Sequence, residues 1–276
     1  MRRLVAVVVI VLVLGAVAAA LVARSSSHAA SPPTTTIRQL RQFRILFPEG
    51  FTRAQMAARV QAVAMIAVHE SRRKVRLSGK TYLAASAKAR TIPGFGREKS
   101  LEGFLFPDTY DFDRTSTSAQ LVREQLREFT ANWRTLNLSY ARSKNLTPYD
   151  VLIIASMVEG EAQVPNERPL IAAVIYNRLR ERMPLQIDAT TRYGLHIPPT
   201  KSLTDSELNS DNPYNTRNRP GLTPTPINNP GLAALEAAAH PANVDYLYFV
   251  RKPDHRHHYF TANYRDFLQH EAQYGY

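Results

Sequence analysis

Glu159 and Glu161 lie at the end of a strongly apolar segment, and their residue type suits acid–base chemistry. The preceding residues, 151–158 (VLIIASMV), are almost wholly apolar, which predicts a helix with no solvent face. A carboxyl group among apolar neighbours has a raised pKa and stays partly protonated, as a general acid at a leaving-group oxygen must. The alternative is structural, with Glu159 paired to an arginine or capping a neighbouring segment.

The segment before these glutamates carries the start signals of a helix. Thr147 can serve as the N-cap, Pro148 suits the first turn, and Asp150 follows the cap by three residues. At about 100° per residue, Glu159 lies on the side of Leu152, whereas Glu161 points nearly the opposite way. The two carboxylates are therefore predicted not to share one site.

Composition and charge narrow the class of protein. The chain has 276 residues, 44% of them hydrophobic and 21% charged, as in a folded protein. Its net charge of +12 favours polyanions, namely nucleic acid, anionic lipid or an acidic cell-wall polymer. With no cysteine, the chain has no disulfide, no thiolate zinc site and no cysteine nucleophile.

The amino-terminal segment predicts export. Residues 4–23 carry no charge and can span a bilayer as a helix. Arg2 and Arg3 precede them, so the tail is expected in the cytoplasm and the rest outside, as a single-pass plasma-membrane protein. A cleaved signal peptide, with residues 18–20 (AAA) at its cleavage site, is the rival interpretation. Both export the remainder, which argues against a nucleic-acid partner.

The chain is predicted to have four regions: a cytoplasmic tail and transmembrane helix (1–24), a tether (25–42), a small module (43–96) and a larger domain (97–276). The small module is predicted as a strand at 43–47, the turn Pro48–Gly50 and two helices. It is similar to a degenerate LysM-like unit, whose second strand is sought at 74–77. A helical hairpin that serves as a spacer is the alternative.

The rest of the chain predicts a mixed α+β domain. Helices are expected at 118–133, 166–182, 232–240 and 264–274, and a hairpin of two strands at 246–250 and 258–261. The stretch 209–230 is rich in Asn, Pro, Thr and Gly, which favours a shaped binding loop.

Further polar residues suggest ligand contacts. Residues 185–188 alternate as a strand does, which would place Gln186 and Asp188 on one side, where they could bind sugar hydroxyls or lie at a solvated edge. The histidines at 255, 257 and 258 lack the spacing of a metal site and favour a solvated turn. We expect no metal and no cofactor.

Six blocks, in this order, resemble the MltG (YceG-like) family of endolytic murein transglycosylases. They are LEGFLFPDTY (101–110), ASMVEGEA (155–162), AAVIYNRLRERMPLQIDAT (172–190), PYNT (213–216), GLTPTPINNPG (221–231) and AAAHPANVDYLYFV (237–250). The family's loop usually reads GLPPGPI, so Thr223 and Thr225 depart from it and leave the shape of the loop open.

The resemblance implies a membrane-anchored lytic transglycosylase, a carbon–oxygen lyase acting on polysaccharide (EC 4.2.2.-). Such an enzyme cuts nascent peptidoglycan between N-acetylmuramic acid and N-acetylglucosamine and leaves 1,6-anhydromuramoyl ends. The catalytic residue it implies is Glu159, first as acid and then as base. By motif match and polarity, the sugar-binding candidates are Gln186, Asp188, Tyr214, Asn215 and Thr216. Penicillin-binding proteins or other wall synthases are the expected protein partners.

Three alternatives stay open. One is a hydrolytic muramidase, in which Asp188 would be the second carboxylate. Another is a non-catalytic peptidoglycan-binding scaffold for glycan synthases. The third is a binder of anionic polymers or nucleic acid, which export disfavours.

Overall fold

The computed structural model describes residues 41–98 and 100–275, which belong to one compact unit. The predicted transmembrane segment at 4–23 and nearly all of the tether lie outside the described residues. Within the described ranges, no helix combines the length and apolar character that crossing a bilayer requires.

The first part of the fold joins two helices to a two-stranded sheet. Strand β1 (Phe43–Leu46) leads into α1 (Arg53–Ser71) and α2 (Gly79–Ser86). A short hairpin, β2 (Arg90–Ile92) and β3 (Gly96–Glu98), follows. Strand β4 (Thr109–Phe112) then pairs antiparallel with β1. The sheet that begins in the predicted small module is therefore completed beyond residue 96.

The prediction of a strand at 74–77 is wrong, since these residues form no strand. The place beside β1 is taken by β4, whose Tyr110 and Phe112 bury two aromatic side chains. Residues 74–77 can bury only Val75 in part and Leu77, so pairing β1 with β4 removes more apolar surface from water.

Helix α5 (Pro148–Glu161) lies at the centre of the second part. Its start is as predicted: the Thr147 side chain accepts from the Asp150 N–H, and the Asp150 side chain accepts from the Thr147 N–H. All of residues 151–158 are buried. The helix packs against α6 (Arg168–Arg180), which follows a 3₁₀ turn, and against α9 (Leu232–Ala239).

The predicted strand at 185–188 is also wrong. Residues 185–187 are irregular, Gln186 has a φ of 55°, and Asp188 is the first residue of helix α7 (Asp188–Leu195). The buried Arg178 guanidinium donates to the carbonyl groups of Pro184 and Leu185. Because these carbonyl groups are bound by a side chain, the segment does not join a sheet. Gln186 and Asp188 therefore do not share a strand face.

The remaining elements agree with the predicted mixed α+β class. They are α3 (Ser118–Trp133), α4 (Ser139–Ser143), α8 (Asp205–Leu208), β5 (Tyr248–Arg251), β6 (His258–Thr261) and α10 (Tyr264–Tyr274). Strands β5 and β6 form the predicted hairpin. Residues 209–231 contain no helix or strand, as expected of a long loop.

Replacing Thr147 by Ala removes the side-chain oxygen that accepts from the Asp150 N–H at the start of α5. We expect the free energy of unfolding to fall by about 1 kcal/mol, measured by urea denaturation. The control is Thr135→Ala, at an exposed threonine beyond the end of α3, with an expected effect within about 0.5 kcal/mol. Equal losses in the two variants would contradict the capping role.

Candidate active site

Glu159 lies in the last turn of α5 with its side chain 7% exposed. Its Oε2 accepts a hydrogen bond of 3.1 Å from the Gly231 N–H at the start of α9. Its Oε1 is 3.8 Å from Nη2 of Arg168, which is too long for a hydrogen bond. The structure therefore gives Glu159 both features of the structural alternative, an arginine neighbour and a capping contact, while leaving the ion pair loose.

Burial raises the pKa of Glu159, and this is the largest influence on it. The Gly231 N–H and Arg168 lower this pKa, whereas the Glu49 carboxylate raises it further. The net direction is upward, which confirms the expectation of a raised pKa for a carboxyl group at the end of an apolar helix.

Glu49 is the second carboxylate beside Glu159. It lies in the turn that follows β1, with its side chain 48% exposed, and its Oε2 is 3.7 Å from Nη2 of Arg168. A Cβ on Gly231 would overlap the Glu49 carboxyl group. An alanine at 231 would therefore displace the Glu49 side chain from its present position. Two carboxylates, one mostly buried and one exposed, share a single guanidinium group.

Ser156, one turn before Glu159, fixes the loop that reaches this site. Its hydroxyl oxygen accepts from the Ile227 N–H at 3.0 Å, and its carbonyl oxygen accepts from the Asn228 amide at 2.8 Å. The Asn228 Oδ1 atom is buried and has no hydrogen-bond partner within the described residues. The loop is thereby held against α5 just before Gly231 reaches Glu159.

Glu161 has separate surroundings, in agreement with the predicted geometry of the helix. Its Oε1 accepts from the Ala189 N–H of α7 at 3.3 Å. Burial raises the pKa of Glu161, and the Asp188 carboxylate raises it further, against the Ala189 N–H and two more distant arginines. A second carboxyl group with a raised pKa therefore lies at the end of α5, on the side that faces α7.

The structure places Asp188 near Glu161, whereas the Gln186 side chain binds Arg178. Asp188 directly precedes Ala189 and pairs with Arg217 through two contacts of 2.7 and 3.2 Å. Gln186 is exposed, and its Oε1 accepts from Arg178 at 3.0 Å. No contact in the described part of the chain joins either residue to Glu159.

Tyr214, Asn215 and Thr216 differ in how far they can reach a ligand. Tyr214 is half-buried. Asn215 is buried, and its amide donates to the carbonyl groups of Leu208 and Ser210. The buried Thr216 hydroxyl oxygen accepts from Ile187 N–H. These internal bonds give Asn215 and Thr216 a role in shaping the loop, and their contact with sugar stays a prediction.

The two threonines that depart from the family's loop pattern, Thr223 and Thr225, form hydrogen bonds through their hydroxyl groups. The Thr223 hydroxyl donates to the Thr225 carbonyl at 2.8 Å. The Thr225 hydroxyl lies 2.9 Å from the Tyr214 hydroxyl, and the Tyr214 ring packs edge-on against Tyr193. The threonines therefore connect the proline-rich loop to Tyr214.

Glu102 was not singled out from the sequence, yet it is a buried carboxylate close to this region, 5% exposed. It accepts hydrogen bonds from the Arg53 N–H, the Asn229 amide and the Tyr193 hydroxyl. Burial raises its pKa to about 7 in spite of these three donors. The available signal was a lone acid in the otherwise apolar block at 101–106, the same signal that identified Glu159.

The three histidines do not share one solvated turn. His258 is buried in β6, and its Nδ1 lies 2.7 Å from the Glu167 carboxylate. His257 pairs with the exposed Asp254. Among the described residues, no three His, Asp or Glu side chains gather as a metal site would need.

The fold and site define a class, an α+β protein whose central buried helix ends in two carboxylates of raised pKa. A model of the YceG-like family matches residues 25–273, and the chain belongs to that family.

Two curated relatives are named endolytic murein transglycosylases. The protein of Bacillus subtilis is 40% identical over 152 residues, covering 55% of this chain and 42% of its own length. The protein of Streptococcus pneumoniae is 34% identical over 244 residues, covering 80% of this chain and 43% of its own length. The chain thus spans less than half the length of these relatives.

A crystal structure of a YceG-like protein from Listeria monocytogenes has a similar fold. The TM-score is 0.64 at 27% sequence identity, over 82% of this chain and 75% of that chain.

Replacing Glu49 by Gln should lower the pKa of Glu159, because a like-charged neighbour is removed. The measurement is a ¹³C NMR titration of the Glu159 carboxyl carbon. Glu181→Gln is the matched control, since the Glu181 side chain is 49% exposed and also pairs with an arginine. An unchanged Glu159 titration in Glu49→Gln would contradict the coupling.

Glu102 should make stability depend on pH. Its folded pKa of about 7 exceeds its ordinary value of 4.5, so the folded state binds the proton more tightly. The contribution is fully present below about pH 4.5 and is lost as pH rises through 7, up to about 3 kcal/mol. Urea denaturation at pH 5 and pH 8 should show a smaller fall in Glu102→Gln than in the unmodified chain. Equal falls would show that Glu102 does not titrate in this range.

Proposed function

We propose that the chain is a membrane-anchored endolytic lytic transglycosylase of peptidoglycan. It cleaves nascent glycan strands between N-acetylmuramic acid and N-acetylglucosamine and leaves 1,6-anhydromuramoyl ends. Membership of the YceG-like family supports this activity, as do the relatives named endolytic murein transglycosylases. The observation that carries the proposal is the largely buried carboxyl group of Glu159, whose pKa is raised and which no tight ion pair within residues 41–98 and 100–275 neutralises.

In the proposed mechanism, protonated Glu159 donates its proton to the glycosidic oxygen as the bond from that oxygen to C1 of the muramic acid breaks. The C6 hydroxyl of the same sugar then bonds to C1, and its proton passes to the Glu159 carboxylate. The acid is thereby regenerated without water. An internal nucleophile acts at a high effective concentration, so the reaction needs no second carboxylate.

The raised pKa of Glu159 suits the first step, because it keeps the acid protonated nearer to neutral pH. The Gly231 N–H and Arg168 suit the state after proton donation, since both stabilise a carboxylate. In addition, the exposed Glu49 places a negative charge beside Glu159, where it would favour the positive charge that develops at C1.

Glu161 is the rival for the role of acid, and a specific observation favours it. One of the polar residues proposed to bind sugar, Asp188, directly precedes Ala189, whose N–H binds Glu161, and the Asp188 carboxylate raises the pKa of Glu161. A hydrolytic muramidase could use this pair, with Asp188 to activate water. Glu159 and Glu161 have different surroundings, so single substitutions can separate their roles.

The remaining parts of the proposal concern location and partners. Residues 4–23 would anchor the chain in the plasma membrane with its amino terminus in the cytoplasm, which places the catalytic domain on the side of the cell wall. The unit that begins at β1 would be LysM-like. Wall synthases such as penicillin-binding proteins would supply the nascent strands.

The test is digestion of purified glycan strands with the full chain, with the product ends identified by mass spectrometry. Anhydromuramoyl ends are expected, whereas reducing ends would show a muramidase and binding to sacculi without products would show a scaffold. Glu159→Gln should reduce the rate at least about 1000-fold, as expected when an acid that also serves as the base is lost.

Glu161→Gln is the matched variant, since it removes a carboxylate of the same helix end. We expect it to keep measurable activity. A fully active Glu159→Gln together with an inactive Glu161→Gln would move the catalytic role to Glu161 and leave the reaction class unchanged.

A further inference from the structure

Asn229 connects three segments that are far apart in the chain. Its Oδ1 accepts from the Leu105 N–H at 2.9 Å, and its Nδ2 donates to the Phe51 carbonyl at 2.9 Å. Its backbone N–H donates to the same Phe51 carbonyl, and its carbonyl accepts from the Gly50 N–H, both at 3.0 Å. Asn229 is fully buried, so it ties the turn after β1 to the loop before α9.

Glu102 accepts a hydrogen bond from the Asn229 side chain and fixes its position. Its Oε1 accepts from Asn229 Nδ2 and from the Arg53 N–H in the first turn of α1, each at 2.9 Å. Its Oε2 accepts from the Tyr193 hydroxyl of α7 at 3.2 Å. Every one of these partners donates, which suits an ionised carboxylate.

Both ends of this network lead to the carboxylates at the end of α5. On one side, Asn229 is two residues from Gly231, whose N–H binds Glu159, and it binds Gly50, where an added Cβ would lie 3.5 Å from the Glu159 Cγ atom. On the other side, Tyr193 belongs to α7, whose Ala189 N–H binds Glu161. A shift of Glu102 would therefore be transmitted to both carboxylates.

We propose that Glu102 is a positioning residue for the reaction, acting through Asn229 and Tyr193 to hold the Gly231 and Ala189 N–H groups on the carboxylates of α5. This inference rests on the proposed function and assigns a role to a residue outside the substrate contacts. Under this proposal the turn after β1 borders the site, so part of the predicted LysM-like unit would help to position the reacting groups.

The proposal predicts an effect on turnover more than on substrate binding. In Glu102→Ala, kcat should fall about 10- to 100-fold, the cost of misplacing reacting groups, while KM changes less than about threefold. Glu102→Gln should recover kcat to within about threefold of the unmodified chain. Its amide oxygen can accept from Arg53 and Asn229, and its amide nitrogen can donate to the Tyr193 oxygen.

Gln125→Ala is the control for loss of a buried polar group. Gln125 of α3 is fully buried and accepts a hydrogen bond from the Tyr82 hydroxyl of α2. Because this hydrogen bond is not part of the network around Glu102, the variant should lose stability and keep its kcat. The experiment measures kcat, KM and the melting temperature of the full chain on glycan strands, with Glu159→Gln and Glu161→Gln in parallel.

Each outcome separates the two proposals. Glu102→Ala with unchanged kcat, beside an inactive Glu159→Gln or Glu161→Gln, overturns the positioning role alone. If Glu102→Ala does not fold, Glu102→Gln decides: a kcat reduced more than about tenfold in a folded Gln variant contradicts a role based on hydrogen-bond geometry. Full activity in both Glu159→Gln and Glu161→Gln overturns the proposed mechanism itself.

Discussion

The structure depends on the desolvation of carboxyl groups at the end of one apolar helix. Residues 151–158 of α5 are all buried, so the helix carries Glu159 and Glu161 to the edge of the core, where both side chains are partly withdrawn from water. A charge in such a place is costly unless it is bound, and each carboxylate has a backbone N–H donor. The remaining cost appears as a raised pKa, the property that acid catalysis requires.

The loop that supplies one of these donors is fixed by side chains, since it has no regular structure of its own. Ser156, Asn228 and Asn229 bind its backbone or tie it to α5 and to the turn after β1. A backbone hydrogen bond to a catalytic carboxylate is useful only if the donor is held to within a few tenths of an ångström. The amide side chains of Asn228 and Asn229 therefore serve to hold the loop in place.

Sequence patterns predicted the longer helices, whose local signals are strong, but not the short helices α4, α7 and α8. Thr147, Pro148 and Asp150 marked the start of α5, and its apolar run predicted burial. The strand predictions at 74–77 and 185–188 failed for a different reason. Alternation of apolar and polar residues over four positions does not reveal which strand is available as a partner. Strand β1 pairs with β4 and not with residues 74–77. Near 185–188, carbonyl groups accept hydrogen bonds from Arg178.

The site itself could be predicted only in part, since its members come from segments that meet only in the folded chain. Glu159 was identifiable from its own neighbours in sequence. Glu49 and Arg168 were not, because a turn residue and an arginine near the start of a helix look like ordinary surface charges until the fold places them together.

The distribution of the site over the chain also constrains how such a protein can vary. The turn after β1, the acid in the block at 101–106, the end of α5 and the loop before α9 meet around a few hydrogen bonds. A longer loop between these segments would cost little free energy, whereas one added residue within them would shift the hydrogen-bond donors. A chain with this site could therefore gain length and change its surface between these segments without moving the donors that bind the carboxylates.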